Sequence, residues 1–76
     1  MATLYCEDLD LKSVKHFDGA IYGFKLKPHK CIEVYVNLDT GKTFAYVTGT
    51  KEDLIFPVDF PPRELTILNG ILSIMT

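Results

Sequence analysis

Apolar and polar residues alternate with a period of two along the middle of the chain, the mark of strands with one face turned to a core. Ala20, Tyr22, Phe24 and Leu26 alternate with Ile21, Gly23, Lys25 and Lys27, and Ile32, Val34, Val36 and Leu38 repeat the pattern. Between them, a three-residue loop of Pro28, His29 and Lys30 sets Leu26 by Ile32, Phe24 by Val34 and Tyr22 by Val36 on one face. The next turn reads Leu38-Asp39-Thr40-Gly41-Lys42, a three-residue loop with Gly41 in the left-handed conformation. Pairing Leu38 with Lys42 sets Val36 against Phe44 and Val34 against Tyr46, which assigns Phe44 and Tyr46 to the core face. An antiparallel meander over 20–48 follows.

The flanks read less sharply. Thr3–Leu9 and Leu54–Phe60 are predicted as extended, and Pro57 makes the second an edge strand or an irregular wrap. Leu11, Val14 and Phe17 are spaced for a helical turn or two over Asp10–Phe17, with Asp10 as its N-cap. From Pro61 to Thr76 two patterns compete. As a helix, Leu65, Ile67, Leu68, Ile71, Leu72, Ile74 and Met75 fill one half of the wheel, with Pro62 at the first helical position and Glu64 in the first turn. As a hairpin turning at Asn69-Gly70, Ile67 would pair with Leu72 and Leu65 with Ile74. The helix is preferred. It gives an α+β fold in one domain spanning 1–76, an antiparallel sheet of four or five strands with one C-terminal helix on a face. The hairpin instead gives a small all-β barrel or sandwich.

Composition supports an ordered domain, with 47% of its 76 residues hydrophobic and 24% charged. So short a chain carries one modest core, which leaves self-association as a homodimer open. The net charge of -2 is too small for whole-surface attraction to phosphates. No apolar run reaches bilayer length, no leader pattern opens the chain, and two cysteines without a leader are expected as thiols, all of which points to a cytoplasmic protein with no membrane partner.

Candidate chemistry is sparse. The five glycines, 19, 23, 41, 49 and 70, are too scattered for a phosphate cradle, and no paired Cys-x-x-Cys occurs. Cys6, His16, His29 and Cys31 are zinc-ligand types at poor spacing and lack the third group a Cys-His nucleophile needs. Glu7, Asp8, Asp10, Glu52 and Asp53 lie in polar stretches and read as solvated charge. No catalytic residue, metal site or cofactor is therefore expected, and the chain is not expected to be an enzyme.

Two features suggest binding instead. Residues 65–76 contain no charged side chain, so Leu68 and Ile71 become candidates for a partner or dimer contact. Tyr35 and Val47, with Ala45 and Cys31, are expected on the far face of the meander as a second contact surface. The leading expectation is a small cytoplasmic protein-binding module, an adaptor or inhibitor of a larger machine, with size alone suggesting a viral or mobile-element source. One alternative is a single-stranded nucleic-acid-binding protein, with Lys25, Lys27, His29 and Lys30 as a basic tip beside Tyr22, Phe24 and Tyr35, and the last-ranked alternative is a zinc-assisted or thiol-dependent enzyme using Cys6, His16, His29 and Cys31.

Overall fold

The computed structural model describes residues 3–29, 31–47 and 54–75. Five strands, β1 (Leu9–Asp18), β2 (Ile21–Leu26), β3 (Ile32–Asn37), β4 (Thr43–Val47) and β5 (Leu54–Pro57), follow a short 3-10 turn at Cys6–Asp8 and precede one helix, α1 (Pro62–Met75). The strands form one antiparallel sheet in chain order. The sheet stays open rather than closing into a barrel. The α+β expectation with a C-terminal helix therefore holds, and the barrel alternative does not.

The terminal segment is helical because the sheet needs a cover on one face. Leu68 and Leu72 are buried there with Leu9, Phe24, Leu26, Val34 and Val36, while Leu65 packs at the margin. A hairpin at Asn69-Gly70 would put Leu68 and Leu72 on opposite faces, so the helix wins despite an interior Gly that costs about 1 kcal/mol relative to Ala. Pro62 opens the helix, where its missing N–H removes nothing, and the Leu65 N–H donates to the Pro61 carbonyl at 3.0 Å. Glu64 reaches outside the helix: its Oε1 accepts the Cys6 backbone N–H at 2.9 Å, and its carbonyl accepts the Cys6 thiol at 3.2 Å. The chain start is thereby fastened to the helix start.

Two local expectations fail. Asp10–Phe17 lies within β1, not a helix. Pairing shifts from Leu9↔Leu26 and Asp10↔Lys25 to Lys15↔Gly23, so the residues between belong to a bulge. Ser13 holds it, its hydroxyl donating to the Asp10 carbonyl at 2.6 Å and accepting the Lys25 N–H at 2.8 Å. Leu11 and Val14 both pack against the core across this bulge, which imitates helical spacing. The Asp10 carboxylate accepts the Lys12 N–H at 3.2 Å, an Asx turn rather than a helix cap. The N-terminal extended segment is likewise reduced to a parallel bridge between Thr3 and Asp59 before the 3-10 turn.

The β2–β3 register is as the sequence predicts, with Tyr22↔Val36 and Phe24↔Val34. The β3–β4 register is one residue off, with Val34↔Ala45 and Val36↔Thr43. The turn holds four residues, because the Asn37 side chain captures the Asp39 and Thr40 N–H groups at 2.9 and 3.2 Å. Gly41, at φ 78°, returns its N–H to the Asn37 carbonyl at 2.7 Å, and Asn37 N–H donates to the Lys42 carbonyl at 2.9 Å. A one-residue slip exchanges the faces of a strand. Thr43 and Ala45 are therefore buried on the helix side, and Phe44 is exposed on the other.

Candidate binding surface on the open sheet face

The slip places Phe44 and Tyr46 with Tyr35, on the face the helix leaves uncovered. Phe17 joins them from the second irregularity of β1, where pairing jumps from His16↔Tyr22 to Asp18↔Ile21. Together with Ile21 and with Ile55 of β5, these side chains line a shallow concavity of about 440 Å³. Phe17 is 64% and Ile55 63% exposed, a high cost in water for side chains of this size. Asn37 and Lys42 supply the polar end of the lining.

Tyr35 is the fixed point of the surface. Its ring lies across Gly23, where a Cβ would come within 2.8 Å of Cε1, so only glycine lets the ring lie against the neighbouring strand. Phe17 meets it edge-on with centroids 5.5 Å apart, and the Tyr35 hydroxyl donates to Glu33 Oε2 at 3.2 Å. The Lys15 ammonium stands 3.4 Å from the same carboxylate oxygen and 5.9 Å from the ring centroid. The Tyr35 phenol first, and then Glu33, hold the Lys15 ammonium above its ordinary pKa.

The edges limit how a partner can approach. Val58 N–H donates to the Thr43 carbonyl at 3.2 Å, so the alternation of an antiparallel strand turns Phe56 and Leu54 toward β4 and Ile55 and Pro57 outward. Pro57 has no N–H to offer, which leaves Ile55 as the one β5 residue presenting both backbone groups on that edge. The β1 edge is blunted by its two irregularities and by Lys12, Lys15, His16 and Asp18. Side-chain docking on the face is thus better provided for than strand addition.

Of the residues the sequence singled out, Tyr35 belongs to this surface. Val47 pairs with Ile32 and Ala45 with Val34, both on the helix side, and Cys31 is exposed in the β2–β3 turn. Leu68 is fully buried and Ile71 half-buried, so the accessible apolar side chains of α1 are Ile67, Ile74 and Met75, with Ile74 87% exposed. Lys25, Lys27 and His29 are exposed at the end of the β2–β3 hairpin, but Phe24 is core and Tyr22 half-buried on the helix side, so the basic tip lacks their rings. Lys30, Thr48, Glu52, Asp53 and Thr76 lie outside the described residues. Cys6 is buried, with burial first and Glu64 second pushing its thiol pKa up. Among the described residues no three His, Cys, Asp or Glu side chains gather as metal ligands. The sequence reading missed Phe17, Ile21, Phe44, Tyr46 and Ile55; the available signal was Asn37, a favoured first residue of a four-residue turn. Comparison with protein-family models, curated proteins and solved structures finds no match.

Proposed function

We propose that this chain is a small protein-binding module whose docking surface is the open sheet face around Tyr35. One observation carries the proposal: the helix covers one face of the sheet, while the other exposes Phe17, Phe44 and Ile55 around an ordered tyrosine. A contiguous apolar patch rimmed by polar residues is the usual mark of an interaction site. The concavity is too open to enclose most of a small ligand, whereas a protein segment laid on a flat face needs no such enclosure. Thiols at Cys6 and Cys31 suit a reducing compartment, and we assign the module to the cytoplasm.

Panning a random peptide library on the immobilised chain tests the proposal, with the double variant Phe44→Thr, Ile55→Thr as counter-target. Threonine keeps the strand preference while removing the apolar side chains. Peptides that hold to the natural chain and release the folded variant are expected. Peptides that bind both equally, or no enrichment at all, would remove this face as the docking surface.

A further inference from the structure

We infer that the segment recognised by this face carries a bulky apolar side chain beside a carboxylate, the apolar group seated against Phe44 and Tyr35 and the carboxylate meeting the Lys42 ammonium. The inference rests on the docking function proposed above and names the chemistry of the partner.

Charge decides it. Among the described residues Lys42 is the one charged residue lining the concavity, and no carboxylate of those residues lies within 4.0 Å of its ammonium. Lys15, a cation on the same sheet face, is already committed to Glu33 and Tyr35. Asp18 and Asp39 stand toward the same end of the sheet but do not line the concavity. The surface therefore offers an apolar floor with an uncompensated positive end, and complementarity asks for an apolar group with a negative one.

The same facts weigh against other occupants. Two copies of the chain packed face to face would bring two Lys42 ammonium groups to one apolar contact with no acid among the described lining residues to pair with them. Single-stranded nucleic acid would find aromatic rings to stack on, but one uncommitted lysine in the lining is a weak counterpart for a run of phosphates, and the chain is net negative at -2. Strand addition along β5 meets Pro57.

The experiment uses the full chain and the peptides enriched by panning, measured by fluorescence anisotropy against the natural chain, Lys42→Gln and Lys42→Glu. Acidic residues flanking an aromatic or aliphatic residue are expected among the enriched peptides. Binding should weaken severalfold in Lys42→Gln, weaken at least about tenfold in Lys42→Glu, and fall as salt is raised. Circular dichroism confirms that both variants fold. Enriched peptides of neutral or basic composition, or equal binding by Lys42→Glu, overturn the inference while leaving the docking surface intact. Failure of all enrichment instead overturns the docking surface itself. Light scattering and labelled oligothymidylate complete the test: a dimer abolished by Phe44→Thr, or oligothymidylate binding lost in Lys42→Glu, would assign the face to a second copy or to nucleic acid and refute the acidic partner.

Discussion

The two faces of this sheet are built from the same strands and nearly the same residue types, yet one is a core and the other a surface. On the helix side, Phe24, Val34 and Val36 are sealed under Leu68 and Leu72. On the other, Tyr35, Phe44, Tyr46 and Ile55 line a concavity that no second layer of the described residues covers. Among the described residues one helix, α1, is available as cover, and it covers the face of Phe24, Val34 and Val36. What remains on the open face is ordered by aromatic contacts and a Glu33–Tyr35–Lys15 cluster rather than by burial. Apolar character alone does not define the core; the second layer does.

The sharpest way to break this contrast is to truncate one aromatic residue on each face. Phe24→Ala should cost about 3–5 kcal/mol in urea unfolding followed by circular dichroism, as deep cavities do. Phe44→Ala should cost at most about 1 kcal/mol, since water already reaches its ring. Equal losses would mean that the open face is covered in solution.

Gly23→Ala tests whether the open face is nonetheless organised. The added methyl must displace the Tyr35 ring, and we expect a loss of about 1–3 kcal/mol, as overpacking gives. Combining it with Tyr35→Leu should recover most of that loss; additive losses would show that the ring is not what glycine accommodates.

On the covered side, Glu64→Ala removes the acceptor of the Cys6 N–H and should cost about 1–2 kcal/mol, with faster hydrogen exchange at the Cys6 amide. Unchanged exchange would dissociate the chain start from the helix. A smaller effect of opposite sign is expected from Gly70→Ala, where an added Cβ meets nothing within 4 Å: a gain of about 0.5–1 kcal/mol in helix stability, read as a higher melting temperature.

The smallest effect concerns pH. Burial and the neighbouring Glu64 raise the Cys6 thiol pKa in the folded chain, so the unfolded chain gives up its proton first as pH rises. The stabilising contribution is complete below the ordinary thiol pKa of about 8.5 and is lost as pH rises through the higher folded value. Cys6→Ser should flatten the decline in melting temperature above about pH 8.5; an unchanged slope would place its origin elsewhere.

Much of the covered face is legible in the sequence, because period-two alternation and a hydrophobic helix stripe are local patterns. The register of β2 against β3, the edge position implied by Pro57 and the helix opened by Pro62 all follow from residues within a few positions of one another. The open face is harder to foresee. Its membership hangs on a turn of four residues instead of three, set by Asn37, and on bulges in β1 that imitate helical spacing at Leu11 and Val14.

The amino-acid sequence by itself determined the antiparallel meander and the register of β2 against β3, because periodicity acts at short range. Only the tertiary structure decided which apolar residues are buried. A slip of one residue between β3 and β4 costs little locally, yet it turns Phe44 and Tyr46 from core to surface, and no pattern confined to one strand records that choice.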